Sequence, residues 1–186
     1  MQVEVIVQDF FYESSLSEVS DLELYQFYTA SPITAETWET WFHRWLEFLE
    51  PNISSVPIYE ISLRLTNDAD IQALNSQYRH QNRPTDVLAF AALEVDCPQP
   101  DQMQSSLPLY LGDIVISVDT AYQQAEQHGH SLQTELAWLA SHALLHLLGW
   151  DHPDEDSLIR MLNQQSILLQ NVDIAIKNIQ TLEPIN

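Results

Sequence analysis

From Gln2 to Phe10 the chain alternates Val3, Val5 and Val7 against Glu4 and Gln8, a period of two that predicts a half-buried strand with Ile6 as the exception. Residues 11–33 are acidic, contain several serines and show little periodicity; they are expected to form a surface insertion, with Asp21 to Tyr28 as its one short helical stretch. Thr34, or the Ser31-Pro32 pair, then opens a helix to about Glu50, and Pro51 ends it. Trp38, Trp41, Phe42, Trp45, Leu46 and Leu49 form its apolar stripe. Such a stripe can line a base-stacking groove, but core packing is its ordinary use.

Ile58 to Thr66 predicts a second strand, Tyr59, Ile61, Leu63 and Leu65 on one face and Glu60, Ser62 and Arg64 on the other. Asn67 caps a short helix carrying Ile71, Leu74 and Tyr78, which delivers Asn75 and Arg79 to the loop His80 to Pro84. Thr85 to Phe90 resumes as strand, and residues 94–107 form a flexible connection. Leu109 to Ser117 is the next strand, where Gly112 suggests a bulge or a close backbone approach. Ser117 caps a helix with Val118, Ala121, Tyr122 and Ala125 on one face, closed by Gly129. Ser131 opens the next helix, which is apolar almost all round from Leu136 to Leu148 and is therefore a central buried element. Pro153 is expected in the first turn of a last helix. This order predicts one α+β domain over 1–186, a mixed sheet of about four strands surrounded by helices.

The central helix carries the chemistry. His142 and His146 are one turn apart, roughly 40° around the axis, so both rings leave one face. A continuing helix would carry His152 roughly 80° away from that face. Gly149 ends the helix in the left-handed conformation, and the turn beyond it returns His152 to the other two rings. Three imidazoles from a helix and a turn make a zinc site with an open fourth position, the arrangement of a catalytic ion. The spacing is also that of metzincin peptidases, but Ala143 stands where those enzymes have their general-base Glu. The metal site survives that comparison and the peptidase mechanism does not.

Charge changes the picture next. Twenty-seven acidic residues face six basic ones, a net −21, which repels phosphates at long range and argues against a general nucleic-acid binder. Arg64, Arg79 and Arg83 are the cations grouped in sequence and the local anion site on offer. Three such contacts imply weak affinity for naked RNA and a salt slope of about two to three on single strands. There is no signal-peptide core and no apolar run of membrane-spanning length, and the single Cys97 fits a reducing cytosol.

Leu74-Asn75-Ser76-Gln77-Tyr78-Arg79 with Pro84 to Phe90, then Leu111-Gly112-Asp113-Ile114-Val115-Ile116, then His142 to His152 resemble, in order and spacing, the YbeY family of bacterial ribosomal-RNA maturation endoribonucleases. The resemblance spans roughly residues 58–165. It implies one zinc per chain on His142, His146 and His152, single-strand-specific cleavage of RNA in small-subunit ribosomal-RNA processing and ribosome quality control, and action in the cytoplasm at the small ribosomal subunit. It also implies that Arg79 is the functional arginine beside the metal; its alternative is a surface ion pair. Arg83 and Arg64 are weaker candidates for neighbouring phosphates. Asp86 and Asp113 are candidates to orient ligand N–H groups, with a strand-end or turn role as the alternative for each. His43, His80, His128 and His130 fall outside the ligand set. Two departures are Ala143, where the family usually has Gly, and Trp150, where it often has Tyr. A metallopeptidase with Asp151 as base, and a ribosome-assembly factor with a structural zinc, are the competing readings.

Overall fold

The computed structural model describes residues 2–11, 33–51, 58–94 and 108–175. The insertion expected over 11–33, the connection over 94–107 and Cys97 lie outside these, apart from end residues. Strands β1 (Gln2–Asp9), β2 (Ile58–Thr66), β3 (Val87–Ala91) and β4 (Leu109–Ser117) form one sheet in the order β1-β2-β4-β3. β1 pairs parallel with β2 and β2 with β4, while β3 runs antiparallel to β4, so the sheet is mixed. Helices α1 (Ala35–Leu49), α2 (Asp68–Arg79), α3 (Val118–His128), α4 (Leu132–Leu147) and α5 (Glu155–Asn171) complete the α+β fold.

Strand alternation sets the layers. Tyr59, Ile61, Leu63 and Leu65 point into the main core, as do Val87 and Ala89, while Leu88 and Phe90 turn the other way to pack with Ile71, Leu74 and Val115 under α2. In β1, Val3 is buried and Ile6 exposed, as the alternation required. The aromatic stripe of α1 is core: Trp38, Phe42 and Trp45 are fully buried, with edge contacts between Trp38 and Trp41 and between Phe42 and Trp45. Trp45 also donates its Nε1–H to the Leu168 carbonyl at 2.8 Å, fastening α1 to α5. α4 lies at the centre, against β3, β4, α3 and α5.

Side chains set most helix starts. Thr34, Asn67, Ser117 and Ser131 each accept an N–H of the first turn, where they were expected. α5 differs. Pro153 precedes the helix, and Asp154 is its cap: the Asp154 carboxylate accepts the Ser157 N–H at 2.7 Å while Ser157 Oγ accepts the Asp154 N–H at 3.1 Å. That reciprocal pair outweighs the preference of Pro for the first turn. β3 begins at Val87 and not Thr85, because Asp86 turns its carboxylate onto the Val87 N–H at 2.8 Å.

Gly112 combines both features suggested for it. The β2–β4 register shifts at Glu60/Ile61, leaving Leu111 as the extra residue, and Gly112 has φ 139°. A Cβ there would lie 2.1 Å from the Phe90 carbonyl oxygen of β3, so the β3–β4 pairing that supports the metal pocket requires a glycine. Gly112→Ala is expected to lose about 2–4 kcal/mol in chemical denaturation, from a forbidden φ plus a backbone clash. A loss within the ordinary surface range would show that the strands separate at little cost.

Candidate metal centre

Geometry at the end of α4 follows from its last hydrogen bonds. Gly149 N–H reaches the His146 carbonyl at 2.9 Å and Trp150 N–H reaches the Leu145 carbonyl at 3.0 Å. These two bonds are a Schellman motif, and Gly149 supplies its left-handed residue at φ 84°. Asp151 Oδ1 then accepts the His152 N–H at 2.8 Å, shaping the turn. The result is convergence. The rings of His142 and His146 are 4.6 Å apart, and His152 stands 5.4 and 5.3 Å from them. One donor atom from each of the three lies within 4.8 Å of the others.

His142 Nε2 and His146 Nε2 face each other at 3.0 Å, close to the edge of about 3.3 Å expected between ligands of a tetrahedral zinc with bonds near 2.05 Å. Burial favours the neutral ring at two of the three: it pushes His142 down to about 3, and it lowers His146 in the same direction, with the nearby His152 adding to the shift. Neutral imidazoles keep the lone pairs a metal needs. The donor set therefore fits a divalent ion of the zinc class.

Two groups that orient the rings were not foreseen. Gln165, fully buried on α5, donates its Nε2–H to the Trp138 carbonyl at 3.3 Å. Its Oε1 is thereby turned to His142 Nδ1 at 3.1 Å, which fixes the proton on Nδ1 and leaves Nε2 free for a metal. The backbone of Trp150 hydrogen-bonds the His146 ring, so the turn that returns His152 also aims His146. A polar Gln165 four residues after Met161 and four before Leu169, on an apolar stripe, was the available signal.

A pocket of about 220 Å³ over the triad is lined by Arg79, Val87, Ala89, Ala143 and Asp151 along with the three histidines. Arg79 is the last residue of α2, and its loop is held by Asn75, whose Nδ2–H donates to the Arg83 carbonyl at 2.9 Å. Other candidates lie elsewhere. Arg64 is on the opposite face of the sheet, 3.4 Å from Asp70 and over the Phe10 ring. Its grouping with Arg79 and Arg83 in sequence is not a grouping in space, because β2 alternation sends it away from the core. Arg83 is exposed and hydrogen-bonds Gln81. Asp86 receives bonds from Gln124, Thr85 and Val87, tying β3 to α3, and burial raises its carboxyl above the usual range. Asp113 bonds Tyr110 and lines a cleft with Arg64. The orienting role considered for these two aspartates is filled by Gln165 and Trp150.

Comparison with known proteins agrees with this geometry. The sequence profile of the family described as Endoribonuclease YbeY matches residues 25–173. A protein of Trichormus variabilis named Endoribonuclease YbeY is 59% identical over 176 residues, covering 95% of this chain and 97% of its own. Its namesake in Nostoc is also 59% identical, over 95% of this chain and 93% of its own, and one in Trichodesmium erythraeum is 58% identical over 92% and 94%.

Gln165→Leu is expected to weaken metal binding, assayed with zinc, about 10- to 100-fold with the fold retained, because His142 loses the group that aims it. Competition against a chromophoric chelator measures this, and unchanged affinity would remove Gln165 from the site. Gly149→Ala meets no atom within 4 Å and so tests the backbone alone. It is expected to cost about 1–2 kcal/mol and to loosen zinc through His152, whereas normal affinity would show that another residue serves the turn equally well.

Proposed function

The chain belongs to the YbeY endoribonuclease family, and from that membership we propose that it hydrolyses single-stranded ribosomal RNA with one zinc ion held by His142, His146 and His152. The supporting observation is that three converging imidazoles and the Arg79 guanidinium share one pocket. When bound, such an ion supplies Lewis acidity toward a phosphoryl oxygen and activates water near neutral pH.

The side chains do the rest. Arg79 holds the scissile phosphate through the planar, paired hydrogen bonds that guanidinium makes with phosphate. Val87, Ala89 and Ala143 give the pocket apolar walls, and Arg79 at its exposed rim opposes the charge developing on the phosphate. Asp151 is the carboxylate among the lining residues, and we assign it the proton released in the hydrolysis. Ala143 presents a methyl group where a metzincin peptidase has its base, which argues against peptide hydrolysis. The fourth ligand position, left open to the pocket, argues against a purely structural ion.

Substrate delivery is the difficulty for a chain of net charge −21. With Arg64 on the far face, Arg79 at the pocket and Arg83 in the exposed loop that follows α2 are the nearest cations, so naked RNA is held weakly. On this reading the small ribosomal subunit or a factor on it brings the RNA to the enzyme in the cytoplasm. No described helix is long and apolar enough to cross a membrane.

Arg79→Ala is expected to reduce cleavage of single-stranded ribosomal-RNA fragments by at least 100-fold, with zinc content and melting temperature unchanged. His146→Ala should lose both cleavage and one equivalent of zinc. Two cations predict a salt slope near 1.5 for single strands. Undiminished cleavage by Arg79→Ala, or a slope above about four, would overturn the assignment of the pocket as the RNA site.

A further inference from the structure

α4 carries a second group of metal-ligating side chains at its other end. His128 closes α3, Gly129 caps that helix in the left-handed conformation, His130 follows, and Glu135 lies in the first turn of α4. His128 Nδ1 is 3.1 Å from Glu135 Oε2, and His130 Nε2 contacts the same oxygen. The two rings are 5.4 Å apart and inclined by 54°. One donor atom from each of the three residues lies within 4.8 Å of the others, the same closeness as in the triad. We propose that His128, His130 and Glu135 form a second metal site, which takes a divalent ion of the zinc class and ties α3 to α4.

Three features support this beyond proximity. First, Glu135 is 1% exposed, and no Arg or Lys pairs with it among the described residues. A carboxylate removed from water needs a compensating charge, and a divalent ion would bring it. Second, two imidazoles and one glutamate are an established zinc donor set, and the 3.1 Å separation suits neighbouring ligands of a tetrahedral ion. His128 and His130 are 16% and 15% exposed, so a water can complete the coordination and the ion can enter from solvent. Third, both helix dipoles agree with the arrangement. An ion against His128 sits at the negative end of α3, and Glu135 sits at the positive end of α4.

The site is separate from the triad. Glu135 and His142 are seven positions apart, about 10 Å along the axis, so the ion cannot reach a substrate over the triad. Its effect is structural. It clips the α3–α4 turn and holds the start of the helix whose end carries His142 and His146. The competing arrangement, a hydrogen-bonded His–Glu cluster without metal, predicts the same shape but a different zinc count.

Metal counting on the full chain distinguishes the two. Stripped protein is reloaded with zinc at micromolar free concentration, passed through gel filtration and analysed for metal and protein. Two equivalents are expected in the unaltered chain, one in His130→Gln, one in His146→Ala and none in the double variant. Glu135→Gln, which preserves shape and removes charge, should also lose one equivalent and serves if His130→Gln fails to fold. Zinc loading should raise the melting temperature of His146→Ala, where only this site remains, and leave that of the double variant unmoved. A single equivalent in the unaltered chain would overturn the proposal. So would a second equivalent that survives both His130→Gln and Glu135→Gln, which is an adventitious surface ion only. The zinc count is independent of RNA cleavage, so failure here leaves the endoribonuclease reading intact.

Discussion

A buried helix that must end at one particular place is the constraint on which this structure depends. α4 is surrounded by sheet and helices, and two of its residues, His142 and His146, must present their rings at its final turns. Continued by even one turn, it would carry His152 away from them. The Schellman motif at Gly149 stops the helix, reverses the chain and sets the Trp150 backbone against the His146 ring. One glycine therefore fixes one ligand's arrival and another's aim. The surrounding core serves that geometry. Gln165 from α5 fixes the tautomer of His142, and the close β3–β4 approach permitted by Gly112 builds the wall of Val87 and Ala89.

Burial and charge act in opposite senses at this site. Removing His142 from water favours its neutral form and so favours a metal, but the same burial would penalise a second cation nearby. Arg79 avoids the penalty by staying exposed at the pocket rim, on a helix end whose dipole favours it. The acidic surface is then consistent with an enzyme that meets its substrate on a larger partner.

Local rules made most of the fold legible. Alternation located β1 and β2, and capping residues at 34, 67, 117 and 131 located four helix starts, because each depends on neighbours within a turn. The convergence of the three histidines and their turn were legible for the same reason, since all three fall within eleven residues. What escaped depends on distant partners. Gln165 acts on a ring 23 residues away, and a polar residue on an apolar stripe does not name its partner. Arg64 stood with Arg79 in sequence, yet strand alternation put it on the opposite face. Glu135 looked like a helix-dipole residue, and its buried contact with His128 and His130 required the α3–α4 turn to be seen. Asp86 and Asp113 have the residue type expected beside metal-bound histidines, but their bonds go to Gln124 and Tyr110.

The central claim is that three imidazoles, and no fourth protein ligand, hold one ion. X-ray absorption at the zinc edge tests it most directly, on the His130→Gln chain so that only this site is loaded. The account predicts three imidazole nitrogens at about 2.0–2.1 Å, with their outer-shell multiple scattering, and one non-imidazole oxygen. Two imidazoles, a sulfur shell, or a fourth imidazole would contradict it.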